Sequence, residues 1–329
     1  MNVLSNAFKI TLHLSAMLAL TGSFSASAQI VPDATLPNNS AVSVEGQINR
    51  ITGGTTAGSN LFHSFSSFSL PTGTTAHFDS ALEIQNIFSR VTGSSISNID
   101  GLIQANGSAN LFLINPNGII LGPNARLNIG GSFLASTANS IVFNDGSLFS
   151  AKNPQAPPLL TVNVPVGLQF ASNPGSIAVQ GQGLNQLATD DQPATDDQPA
   201  TDYDVQADIA FQQSVLDSPI GLGLQPARTL ALVGGDVTFS GGLLKAPAGR
   251  IELGSVGDNS SVSLTPTGTG FALGYENVAT FKDIQLSGQS AVFASGEGGG
   301  NIQLAGRRIQ IAEGSQIQAS TLGTQPGEM

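Results

Sequence analysis

Short apolar runs alternate with Gly, Asn, Ser and Thr along most of the chain. Val42–Val44, Ile48–Ile51, Leu61–Phe65, Leu102–Ile103, Leu111–Ile114, Ile119–Leu121 and Leu127–Ile129 each read as strands closed by turn residues. Helical periodicity is almost absent. In the C-terminal third the pattern becomes regular: Ile284-Gln285-Leu286, Ala291-Val292-Phe293, Ile302-Gln303-Leu304, Ile309-Gln310-Ile311 and Ile317-Gln318-Ala319. Ile284 to Ile309 is 25 residues, and so is Val292 to Ile317. Each period holds three short strands, and alternation turns two apolar side chains inward and one Gln outward. One such coil cannot bury its own inner face and stacks on the next. The prediction is an all-β chain: a right-handed parallel β-helix with an N-terminal cap and loops leaving the coils. An antiparallel sandwich would leave the regular return accidental.

Residues 230–253 fit the same coil. Leu230–Val233, Val237–Phe239, Leu243–Leu244 and Ile251–Leu253 are separated by Gly234-Gly235, Gly241-Gly242 and Pro247–Gly249. Glycines at these corners are expected to supply positive φ. Two segments stand apart. Residues 1–28 read as a signal peptide for the Sec machinery: Lys9, the apolar run Ile10–Leu20, then Ala26-Ser27-Ala28, with the mature chain starting at Gln29. Residues 188–200 contain the duplication Ala-Thr-Asp-Asp-Gln-Pro-Ala, and seven acids with no base lie between Asp190 and Asp208. A disordered acidic loop is expected over about 186–208, and its repeat lacks the Gly-rich geometry of a calcium loop.

Composition narrows the function classes. There are 11 Lys+Arg against 22 Asp+Glu, a net charge of −11, so no basic face for nucleic acid is expected. The chain has no Cys and 3 His, one in the leader, so a disulfide framework and a thiol nucleophile are excluded and a His-based metal site nearly so.

The most specific local signal is Asn115-Pro116-Asn117-Gly118-Ile119. Pro116 presets φ for the second position of a β-turn, Asn117-Gly118 suits a tight return, and the Asn115 side chain can bond the backbone two residues on. The turn sits between Leu111–Ile114 and Ile119–Leu121. The whole segment 98–120 strongly resembles the secretion domain of two-partner-secretion exoproteins, typified by filamentous haemagglutinin. Asn60-Leu61-Phe62-His63-Ser64-Phe65 is similar to that family's early Asn-x-aromatic-x-x-Phe segment, carried here by Asn60, Phe62 and Phe65. Residues 122–133 continue the likeness, and the repeat style is similar to the cyanobacterial branch. Some members carry Asn-Pro-Asn-Leu between these regions; this chain has residues 76–84, Ala-His-Phe-Asp-Ser-Ala-Leu-Glu-Ile, there instead.

The resemblance covers residues 30–150 specifically and extends more loosely through 320. It implies a secretion domain at 29–150, with β-helix repeats over 151–329. It also implies a partner: a dedicated outer-membrane β-barrel transporter whose periplasmic POTRA domains recognise the secretion domain. The chain is then expected to pass through the periplasm of a Gram-negative cell and end extracellular or at the cell surface, as an adhesin or surface protein. The two alternatives from other classes are a haemolysin-type exoprotein and a β-helix carbohydrate-active enzyme.

Enzyme chemistry finds little support in the residues. Asp33, Glu45, Asp79, Glu83, Asp100 and Asp145 show no spacing that suggests a carboxylate dyad. His63 and His77 lack a metal-spaced partner, and no Gly-x-Ser-x-Gly elbow accompanies Ser64. Neither catalysis nor a cofactor is expected. The chain stops at Gly323–Met329 within the repeat rhythm. That fits a fragment, a truncated reading frame, or a module completed by another protein.

Overall fold

The computed structural model describes residues 29–154, 161–187 and 205–323. The expected leader and the duplicated acidic tract lie outside them.

Parallel strands stack into coils, as the periodicity requires. The first sheet runs in the order Ile30–Pro32, Asn60–Phe68, Asn86–Val91, Asn110–Ile114, Phe133–Ser136, Thr229–Gly234, Arg250–Ser255 and Asn301–Ala305, with Thr55–Ala57 paired at its side. The second runs from Ser97–Ile99 through Ile119–Leu121, Ile177–Gln180, Val237–Ser240 and Asp283–Ser287 to Arg308–Ile311. Two further sheets share the third side. One spans Ser40–Glu45 to Arg126–Asn128, the other Leu222–Gly223 to Gln316–Gln318. Ile284 pairs with Ile309 and Val292 with Ile317, so the 25-residue period is the coil itself. The chain is a parallel β-helix.

From Asn60–Phe68 to Arg250–Ser255 the first sheet is buried on both faces. Inward, Leu61, Ile87, Leu111, Phe133, Leu230 and Ile251 stand in register in the main core. Outward, Phe62, Phe88, Phe112, Leu134 and Ala231 form a second core. Each Leu, Ile or Phe among them contributes about 1.5–3 kcal/mol by leaving water. The outer core is covered by an antiparallel sheet ordered Leu148–Ser150, Ser140–Phe143, Pro165–Gln169, Ser261–Pro266 and Phe271–Asn277. Its strands come from two departures at the same corner: 137–176 and 256–282 each leave a first-sheet strand and return to a second-sheet strand.

A third departure holds a 3-10 helix at Leu184–Gln186 and the α-helix α1, Val205–Asp217. This corrects the expected loop over 186–208 at both ends; residues 188–204 lie outside the described residues. The helix forms because Phe211, Val215 and Leu216 pack with Leu243, Ala291 and Phe293 on the solenoid wall. Asp208 in its first turn suits the dipole. Gln212 anchors it, accepting from Ser295 at 2.7 Å.

The corner glycines also differ from expectation. Of those at 234–249, Gly241 alone has positive φ, 69°, while Ala248 takes φ 47° in the Pro247–Gly249 turn. The others are small for space: a Cβ on Gly235 would lie 2.4 Å from the Pro174 carbonyl oxygen, and one on Gly249 would lie 2.3 Å from that of Arg228. Later in the chain, Gly298 and Gly299 do have positive φ.

Candidate functional site

The strand Asn110–Ile114 ends in the Asn115–Gly118 turn and restarts as Ile119–Leu121 in the next sheet. Local chemistry closes the turn. Asn115 Oδ1 accepts from the Asn117 N–H at 3.1 Å, and the Asn115 carbonyl accepts from the Gly118 N–H at 3.1 Å. Gly118 has φ 132°, and a Cβ there would meet Ile96 Cγ2 and the Ser176 carbonyl at 3.2 Å.

Neighbouring coils then clamp the corner. The fully buried Asn115 amide donates to the Ser95 carbonyl at 3.0 Å and to Ser97 Oγ at 2.9 Å. Asn117 Nδ2 donates to the Gly93 carbonyl at 2.8 Å. On the following coil, the Asn115 N–H donates to Ser136 and the Ile119 N–H to Ser176. The outer side of the corner faces a polar cleft of about 640 Å³, where Pro116 and Asn117 meet Lys152, Asn139 and Asn173. Lys152 Nζ donates to Asn117 Oδ1 at 3.1 Å.

Asn60 starts its strand at the end opposite the Asn115 turn, Phe62 lies mid-strand, and Phe65 reaches the Asn115 end but two coils earlier, so the fold does not gather the two motifs into one site. Asn60 Nδ2 donates to the carbonyls of Thr161 and Asn163 at 3.0 and 2.9 Å. Phe62 stacks on Phe88 at 5.2 Å in the outer core, and Phe65 is buried in the inner one. Ala26 and Ala28 lie outside the described residues. Gln29 is within them, and its carbonyl accepts from Ser67 Oγ at 3.1 Å.

Two features were not anticipated from the sequence. Asn86 donates to Asn60 and Asn110 to Asn86, each at 3.0 Å, making an amide ladder up the corner. Phe88 and Phe112 continue the Phe62 stack at 4.8 Å. The spacings, 26 and 24 residues, were available as a signal. The second feature is Arg90. Buried, it donates to Ser64 Oγ, the Ser150 carbonyl and Thr35 Oγ1 at 2.8–2.9 Å and lies 4.4 Å over the Phe149 ring. Burial pushes its pKa down to about 10, against the pull of Asp33. Burial would raise the Asp33 carboxyl, yet bonds from Thr35, Thr92 and Ser64 hold it below its ordinary value.

His63 is packed. Its Nδ1 lies 3.0 Å from Ser40 Oγ, its ring stacks near Phe65, and burial lowers its pKa to about 3. His77 Nε2 meets Asn106 Oδ1 at 2.8 Å. Asp79 pairs with Arg50 at 2.8 Å rather than with Glu83. Among the described residues no group of three His, Cys, Asp or Glu side chains could hold a metal.

The family model of the TPS secretion domain matches residues 28–304. Among solved structures, the chain is similar to the HMW1 secretion domain from Haemophilus influenzae, with 16% identity, a TM-score of 0.48, and coverage of 89% of this chain and 84% of that one. It is also similar to the filamentous hemagglutinin secretion domain, with 14% identity, a TM-score of 0.45, and coverage of 91% and 98%. No curated protein matches it in sequence. The family match takes in most of the chain, so the chain belongs to the TPS secretion domain family: it is a two-partner-secretion exoprotein, secreted across the outer membrane with a transporter as its partner.

Proposed function

We propose that the periplasmic POTRA domains of a dedicated outer-membrane transporter recognise residues 29–150, after the Sec machinery has exported the precursor and residues 1–28 have been removed. The family match over residues 28–304 carries this reading. The chain crosses the barrel largely unfolded, folds outside coil by coil, and then works in adhesion or at the cell surface.

Physical features support it. With no Cys, no disulfide forms in the periplasm to block threading. Solenoid coils contact their neighbours, so burial propagates from the first coil that emerges and opposes backsliding. Asn115 is fully buried and bonded within the fold, so Asn115–Ile119 acts first as a corner that sets coil stacking. Asn60, Phe62 and Phe65 act likewise on the opposite corner and the two cores. Recognition then reads the surface these corners hold in place.

The test is export from a Gram-negative host with and without the cognate transporter, followed by blots of medium and periplasm. Transporter-dependent appearance in the medium is expected. Retention in the periplasm in both cases would overturn the reading.

A further inference from the structure

Helix α1 is held lightly. Of residues 206–217 only Gln212 and Val215 are buried. An element with so few buried contacts opens locally at small cost. It covers a charged group. On the wall strand Leu243–Lys245, Leu244 points into the main core, so Leu243 and Lys245 point outward. Leu243 meets the apolar side of α1. Lys245 lies under the end of the helix and the segment that follows it: Ser218, Pro219 and Gly223 surround it, and it is only 4% exposed.

The bonds of that ammonium are to neutral groups. Its Nζ donates to the Ser218 carbonyl and, at 3.2 Å, to Ser218 Oγ, two acceptors for three hydrogens. Among the described residues it forms no ion pair. The charged groups facing it are Arg126, which repels it, and the exposed Asp217, which attracts it. The strands on either side, Leu222–Gly223 and Ala291–Phe293, carry none. The carbonyl end of α1 returns part of the lost hydration. It does not return all: burial first, and then Arg126, lowers the Lys245 pKa to about 8. Closing this segment over a charged Lys245 is therefore penalised, and closing it over the neutral amine escapes that penalty.

We propose that α1 and residues 218–224 form a strap that loosens from the wall while Lys245 carries its proton, uncovering Leu243, Ala291 and Phe293, and tightens when the proton leaves. With the strap open, Lys245 returns towards its ordinary 10.5 and holds its proton more tightly than with the strap closed. Closure is thus weakest below pH 8 and strengthens as pH rises towards 10.5. The strap does not depend on the export reading, and its test needs no transporter.

The sequence contains no Cys, and Val215 is fully buried, so Val215→Cys puts a single thiol beneath the closed strap. Its rate of reaction with dithiobis(nitrobenzoate), divided by the rate in the urea-unfolded chain at the same pH, reads the open fraction. From pH 7 to 9.5 that fraction should fall about thirtyfold. With Lys245→Met added, it should be low already at pH 7 and flat across the range. With Lys245→Arg, which keeps its charge, it should stay high throughout. An open fraction that is constant or rises with pH overturns the proposal. So does a Lys245→Met or Lys245→Arg chain that keeps the thirtyfold fall. If Lys245→Met fails to fold, the pH profile with Lys245 in place and that of Lys245→Arg decide.

Discussion

At the N-terminal end of the solenoid the strands turn back on themselves. Ser40–Glu45 pairs antiparallel with Ile48–Gly53, and Ile30–Pro32 and Thr55–Ala57 both pair antiparallel with Asn60–Phe68. Large polar groups are enclosed there, with Arg90 donating to Ser64, Ser150 and Thr35 and His63 Nδ1 bonded to Ser40 Oγ. In the last described coil, Asn301–Ala305, Arg308–Ile311 and Gln316–Gln318 pair parallel with the coil before, and Ile309 and Ile311 stay 44% and 49% exposed. In the preceding coil's matching Ile284-Gln285-Leu286, Ile284 and Leu286 are fully buried, and the next coil covers that strand. A coil's stability is therefore set less by its own residues than by having neighbours on both sides, as a one-dimensional stack demands.

Substitution tests this contrast most severely. Leu111→Asp places a charge in a fully packed coil and should abolish folding, a loss of several kcal/mol or more. Ile311→Asp, at the exposed coil, should cost about 0.5 kcal/mol. Equal losses in chemical denaturation would erase the distinction between the ends. By the same logic, charges at Leu111, Leu113 or Ile119 should reduce exported protein, and unchanged export would count against coil-by-coil folding outside the cell.

Acid should strike the closed end next. His63 titrates near 6.5 when unfolded and near 3 when folded, so the unfolded chain takes up the proton first. Stability should fall as pH drops from 6.5 towards 3, by roughly 4 kcal/mol in all. His63→Gln should flatten that slope, and denaturation midpoints across the range would show it.

Glu252 has the opposite sign. It lies on the outer face of the first sheet, where Oε1 accepts from Arg250 at 3.2 Å and Oε2 has no partner, and burial raises its pKa to about 7. The folded chain holds this proton more tightly than the unfolded chain. Its contribution is full below pH 4.5 and is lost as pH rises to 7, about 3 kcal/mol in total. Glu252→Gln should remove the dependence, and a variant that keeps the wild-type profile would refute the assignment. The smallest effect among the packed sites is expected at the motif corner. Asn115→Ala leaves the Ser95 carbonyl and Ser97 hydroxyl without their amide donor and should destabilise by about 2 kcal/mol, measurable by urea denaturation.

The sequence showed the coil clearly where insertions were absent. From Ile284 to Ile317 the strands follow one another through short corners, and the period is visible by eye. Asn60, Asn86 and Asn110 repeat as faithfully, but spacings of 26 and 24 residues hide the register. The Asn115 turn was legible because its bonds run between residues two and three apart. Helix α1 was not, because what holds it is a wall made by Leu243, Ala291 and Phe293, far along the chain. The antiparallel sheet was illegible for the same reason. Ser261–Pro266 looks like any strand, and nothing local says that its partner is Pro165–Gln169.

That partner lies about a hundred positions upstream, and the distance orders events in time. Loop closure of this length is slow compared with laying one coil on the last. In the export proposed above, Pro165–Gln169 would emerge before Ser261–Pro266, and until the two strands meet Phe112 and Leu134 stay partly uncovered. The antiparallel sheet is thus a late clasp, fastened after the coils beneath it are in place. Pulsed hydrogen exchange during refolding should find amides of 110–136 protected before those of 261–277; simultaneous protection would mean that the coils and their clasp form as one cooperative unit.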